Sequence, residues 1–228
     1  MPALETARSL WWLIQKDLTR ELRAHHVWPG MLLLGLVLVF LLATQIDLPM
    51  EQKTPVIGGL LWLAVFFAGT FALERSFANE RDGDCWRTLM QYPISPGVLF
   101  LAKMAISIAS FTVLELVLIP VFIVMTDVPL LARPAAMALI AALGNIGFAA
   151  VGTLLSAIMA GLRNRGGLLA LLLLPLVMPV ILGSSEATRI MLVGEIDMQW
   201  WRWIQLLAIF AAMFTVVSTL AFEFVIEE

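Results

Sequence analysis

Six apolar blocks dominate the hydropathy pattern, at residues 31–46, 56–76, 98–126, 135–161, 167–183 and 203–224. Such blocks have the scale of a membrane crossing, since roughly 20 helical residues span a hydrocarbon layer of about 30 Å. They carry almost no polar face, whereas a helix resting on a soluble core keeps one. The third and fourth are longer than a bilayer needs, which predicts tilt or extension beyond it. The pattern predicts an all-α membrane protein: six transmembrane helices in one polytopic domain, residues 1–228. The gaps are too short for a soluble domain, and no internal repeat of solenoid length stands out.

Two polar stretches break the pattern. In SLWWLIQKDLTRELR, Leu10, Ile14, Leu18 and Leu22 recur every four residues beside Trp11, with Lys16, Asp17, Arg20, Glu21 and Arg23 off that stripe. This predicts an amphipathic helix within residues 8–26, lying at the membrane interface; the alternative is a helix packed on a soluble partner. Trp28 and Pro29 mark the turn into the first span. The second stretch is ERSFANERDGDCWRTLMQYPISP, whose residues Glu74 to Arg87 include seven charges in a chain that is 14% charged overall. Asp82 or Asp84 can cap a short helix from Cys85 to Gln91. Trp86, Leu89 and Met90 would share its apolar side, and Pro93 and Pro96 would stop it. Two readings stay open: a surface helix that docks in a groove of a soluble partner, or a solvated loop.

Charge sets the orientation. The N-terminal segment (Arg8, Lys16, Arg20, Arg23), the 74–97 segment with its flank (Arg75, Arg81, Arg87, Lys103) and the 162–166 turn (Arg163, Arg165) fall on one side. Only Lys53, Arg133, Arg189 and Arg202 fall on the other. The excess of Lys and Arg marks the cytoplasmic side, so both termini and the 74–97 segment are expected in the cytoplasm. The net charge of −3 argues against nucleic acid as a partner. A single cysteine, Cys85, excludes an intrachain disulfide. The mixed-charge N-terminus does not read as a secretory signal.

Candidate chemistry is sparse. The sequence has no HExxH, GxSxG, CxxC or GxxxxGK[ST], so no catalytic site and no phosphate loop of its own are expected. His25 and His26 are adjacent and would point about 100° apart on a helix, a poor pair of ligands for one metal. Glu115 is the unusual ionisable group inside a span, twelve residues from Lys103, about 18 Å along a helix. Lys103 can snorkel to the surface, whereas Glu115 at mid-depth must face protein or water. It reads either as the polar lining of a pathway or as a protonated acid hydrogen-bonded to a neighbouring helix. Pro175 and Pro179 each remove a backbone donor, predicting a kinked or partly unwound fifth span that could flex with such a pathway. Gly152, Ser156 and Ala160 have the spacing of a close helix contact. Trp200, Trp201 and Trp203 at the mouth of the last span read as interfacial belt residues, or as a stacking platform for a ligand such as haem.

The order of these features resembles the membrane subunits of ABC-2-type exporters, and within them the CcmB family, haem exporter protein B of cytochrome c maturation. The likeness rests on KDL and ELR within Lys16 to Arg23, and on ALERSF (Ala72 to Phe77) followed by Glu80. It continues through Leu89-Met90, Pro93 and Leu101-Ala102-Lys103, then Arg165-Gly166-Gly167 leading into LPLVMPVIL (Leu174 to Leu182). The family pattern has an acid-Gly pair, a small residue and then Leu-Glu. Here Gly83-Asp84 sits one position early, and Trp86-Arg87 stands in place of Leu-Glu.

The resemblance implies a bacterial inner-membrane permease subunit with no catalytic site. It implies coupling to a CcmA-like ATPase through Glu80, Asp82, Gly83, Asp84, Trp86, Arg87 and Leu89. ATP would be bound by that partner, with haem as a handled ligand rather than a resident cofactor. CcmC-like and CcmD-like membrane proteins and a CcmE-like haem chaperone are the further partners implied. Glu115, Pro175 and Pro179 are the candidates for a pathway. A general ABC-2 exporter of lipid, glycan or drug, and a non-transporting membrane scaffold, are the rival readings.

Overall fold

The computed structural model describes residues 27–45, 50–81, 96–160 and 167–227. They form six helices: α1 (Val27–Thr44), α2 (Met50–Arg81), α3 (Pro96–Thr126), α4 (Pro134–Ala160), α5 (Leu168–Val193) and α6 (Met198–Glu227). No strand occurs among the described residues. The helix expected within 8–26, the 162–166 turn and the short helix expected from Cys85 to Gln91 lie outside them.

Five helices contain stretches long and apolar enough to cross a membrane: Val56–Glu74, Pro96–Thr126, Pro134–Met159, Leu168–Val193 and Met198–Phe224. α1 adds a shorter apolar segment, Pro29–Thr44. In lipid every backbone donor and acceptor must be paired within the protein, and a helix does this alone. The chain is an integral membrane protein.

α2 and α4 are the central helices. α2 packs against α1, α3, α4 and α5, and α4 against α2, α3, α5 and α6. Small residues allow this proximity. A Cβ on Gly152 of α4 would stand 2.4 Å from Leu73 Cδ1 on α2, and one on Gly58 would meet the Ser185 carbonyl of α5 at 2.8 Å. Part of the small-residue stripe on α4 is therefore spent within the chain. The outer faces of α5 and α6 expose Leu171, Met178, Leu182, Ile209, Val216 and Leu220, a surface suited to lipid.

Three helices overrun their apolar blocks: α2, which runs from Met50 to Arg81 around the block at 56–76, and α5 and α6. α6 begins at Met198, five residues before the apolar block at 203, because Asp197 caps it: its Oδ1 accepts the Trp200 backbone N–H at 2.9 Å. α5 continues to Val193, ten residues past the block that ends at 183. Its polar run SSEATR is accommodated in helix. Thr188 Oγ1 donates to the Ser184 carbonyl at 2.7 Å, and Glu186 and Arg189 pair with each other at 2.7 Å. Nor is α5 partly unwound at its prolines: one α-helix runs from Leu168 to Val193 with Pro175 and Pro179 inside it, both on an exposed face.

The α3–α4 turn is tight. Asp127 takes a left-handed backbone conformation (φ 60°) and its N–H closes on the Ile123 carbonyl at 2.9 Å. Pro134 then opens α4, where a missing N–H costs nothing. Arg133 reaches across to the end of α5 and donates to the Gly194 carbonyl at 2.9 Å.

Candidate functional site

A buried polar pair lies in the bundle core between α3 and α4. Asn145 Nδ2 donates to Glu115 Oε2 at 2.8 Å, and both side chains are buried. Glu115 Oε1 is buried with no hydrogen-bond partner. Thr112, one turn before Glu115, lies 3.5 Å from Asn145 Nδ2, but its own hydroxyl donates to the Ile108 carbonyl.

The pairing follows from the hairpin. α3 and α4 run antiparallel about the turn near Leu130, and residues equally far from it reach the same depth. Glu115 and Asn145 are each fifteen residues from Leu130. Ser107 and Thr153 are each twenty-three residues from it, and their hydroxyls lie 3.3 Å apart. Between these two polar levels lies an aromatic stack: Phe111 on Phe148 with centroids 4.6 Å apart, and Phe148 on Phe66 at 5.6 Å. Gly69 leaves room for it, since a Cβ there would stand 2.7 Å from Phe148.

On its other side Asn145 borders a cavity of about 20 Å³, also lined by Trp62, Phe66, Gly144, Phe148 and Val180. That is close to the least room that admits one water, roughly 10–15 Å³ on the same measure. Trp62 Nε1 donates to Thr188 Oγ1 at 3.0 Å, tying α2 to α5 beside this cavity. Ser184 Oγ, buried and without a partner, would lie 3.1 Å from a Cβ on Gly144.

The expected site residues are spread out. Glu115 is 3% exposed in the core, while Pro175 and Pro179 stand on the exposed face of α5. α3 and α5 share no extensive contact, so the three are not brought together. Lys103, read as able to snorkel outward, is 8% exposed. Trp200, read as a belt or platform residue, is 2% exposed and packed into the core, its Nε1 without a partner; Trp201, edge-on at 5.0 Å, is the exposed one. Glu80 falls in the last turns of α2, whereas Asp82, Gly83, Asp84, Trp86, Arg87 and Leu89 lie outside the described residues, as do His25 and His26. No cluster of metal-ligating side chains occurs among the described residues.

Asn145, Trp62, Thr188 and Ser184 were missed by the sequence reading. Asn145 carried a signal, being the sole carboxamide in α4 at the depth of Glu115. A further contact joins two of the motif segments: the Glu74 carboxylate, in ALERSF, accepts a hydrogen bond from the backbone of Gly167, which takes φ 79° just before α5.

The family model described as CcmB protein matches residues 8–228. The chain belongs to the CcmB family. It is 35% identical over 140 residues to Heme exporter protein B of Pseudomonas aeruginosa, an alignment covering 60% of each chain. It is 30% identical over 180 residues to Heme exporter protein B of Rhodobacter capsulatus, covering 78% of this chain and 81% of that relative. The chain thus spans less than two thirds of the Pseudomonas relative and most of the Rhodobacter one. The resemblance to the CcmB family is borne out. In this CcmB chain, then, the core polar cluster is built by α2, α3, α4 and α5.

Proposed function

We propose that the chain is the membrane subunit of an ABC-type haem-export system serving cytochrome c maturation. The observation that carries this reading is the family match over residues 8–228, with relatives named Heme exporter protein B. The chain has no phosphate loop, so ATP is hydrolysed by a CcmA-like partner. CcmC-like and CcmD-like membrane proteins and a CcmE-like haem chaperone complete the system, and hydrolysis drives haem export or release of the loaded chaperone.

All six helices cross the bacterial inner membrane, with both termini in the cytoplasm. α1 supports the sixth crossing: its 18 residues rise about 27 Å, close to the hydrocarbon thickness. The excess of Lys and Arg on one side supports the orientation. Coupling runs through the cytoplasmic segment after α2, with Glu80, Asp82, Gly83, Asp84, Trp86, Arg87 and Leu89 as its contacts. Because Trp86-Arg87 stands where the family pattern has Leu-Glu, a compensating acidic surface is expected on the partner ATPase, or else a different detailed contact there.

Co-purification with the candidate ATPase, followed by assays of hydrolysis and haem-chaperone release, tests the reading. Trp86→Ala and Arg87→Glu are expected to weaken ATPase binding and chaperone release together. If both activities survive both substitutions, the coupling assignment fails. If the chain never associates with an ATPase, the scaffold reading replaces it.

A further inference from the structure

We propose that Glu115 is a proton-binding site in the membrane core, a neutral carboxylic acid held between α3 and α4 by Asn145 and carrying its proton on Oε1. The inference is independent of which cargo the chain serves.

The first ground is the absence of a countercharge. Four helices pack against α3: α1, α2, α4 and α6. α1 and α4 contain no ionisable side chain from end to end. The stretch of α2 from Val56 to Leu73 contains none, its nearest ionisable groups being Lys53 and Glu74 at the two ends. The stretch of α6 from Trp203 to Phe222 contains none, Arg202 and Glu223 lying at its ends. On α3 itself Lys103 is twelve residues away, about 18 Å along the axis. The charged pair of α5, Glu186 and Arg189, is mutually satisfied. A carboxylate at Glu115 would face no cation on any described helix packed against its own.

The second ground is the poverty of donors. A buried carboxylate is tolerated when several N–H groups, a cation or a metal surround it. Glu115 receives one neutral amide hydrogen, on Oε2, and nothing on Oε1. The nearby Thr112 hydroxyl spends its proton on the Ile108 carbonyl. A carboxylic acid fits this surrounding: its carbonyl oxygen accepts from Asn145, and the other oxygen bears the hydrogen. Loss of that proton requires water or a cation at Oε1, and hence separation of α3 from its neighbours. The aromatic stack of Phe111 on Phe148 closes one side of the pair, and the water-sized cavity borders Asn145 without being lined by Glu115.

Infrared spectroscopy of the full chain reconstituted in lipid at neutral pH tests the proposal. The difference spectrum between the wild type and Glu115→Gln is expected to lose one carboxylic-acid C=O band, with the carboxylate bands unchanged. Loss of carboxylate intensity instead would overturn it. Asn145→Leu provides a reading should Glu115→Gln fail to insert. Removing the amide donor is expected to shift the acid C=O band to higher frequency, and an acid band that does not move, or is absent, overturns the assignment. Neither readout depends on ATP hydrolysis or haem, so failure of the proposed function leaves the result intact.

Discussion

Trp62 on α2 donates its indole N–H to Thr188 Oγ1 on α5 at 3.0 Å, and the Thr188 hydroxyl in turn donates to the Ser184 carbonyl at 2.7 Å. Both side chains are buried. The bond anchors a portion of α5 that hydropathy assigns to the loop. Thr188→Val keeps the shape and leaves the indole without an acceptor, at a cost of about 1 kcal/mol or somewhat more. Thr188→Ser should retain most of the stability. Thermal unfolding in detergent, monitored by helicity, separates the two, and equal midpoints for both variants would remove the bond from the account.

Gly152 meets Leu73 so closely that an added Cβ would lie 2.4 Å from Leu73 Cδ1. Gly152→Ala should therefore destabilise the α2–α4 contact by about 1–3 kcal/mol, the usual cost of overpacking. Leu73→Ala removes the obstructing atom. In a double-mutant cycle the pair should be more stable than the sum of the single changes implies. Additivity would mean that the contact relaxes at no cost.

Asp197 caps α6 through the Trp200 N–H. Asp197→Ala is expected to lose about 1 kcal/mol, whereas Asp197→Asn should lose much less. The same denaturation measurement applies, and matching losses for Ala and Asn would point to charge rather than capping.

Asp127 holds a left-handed conformation at φ 60° that L side chains adopt at a cost. Asp127→Gly should be neutral or should stabilise the chain by about 0.5–1 kcal/mol, because glycine enters that region freely. Asp127→Val should destabilise it, since a β-branched residue fits there worst. Unfolding midpoints in the order Gly, Asp, Val check the assignment.

Much of the architecture was legible along the chain. Block lengths located each of the six described helices, since lipid forces each crossing segment to pair its own backbone. The ends were harder to read. Asp197 extends α6 beyond its apolar block, and Thr188 with the Glu186–Arg189 pair extends α5, because polar residues stay helical when a neighbour satisfies them. Glu115 was conspicuous in sequence as an acid inside an apolar run, and the motifs ALERSF and Arg165-Gly166-Gly167 pointed to the CcmB family. Its partner was not conspicuous, although the even spacing of Glu115 and Asn145 about Leu130 could have suggested it.

The sequence by itself determined that this is a helical membrane protein, roughly where its helices run, and which family it belongs to. The tertiary structure decided which face of each helix turns inward: that Trp200 is core and Trp201 exposed, that Pro175 and Pro179 look outward, and that Asn145 meets Glu115. The physical reason is that lipid tails are as apolar as a packed interior. Hydrophobicity therefore cannot mark the inner face of a membrane helix. Small residues and scattered hydrogen bonds do so, and their partners lie on other helices.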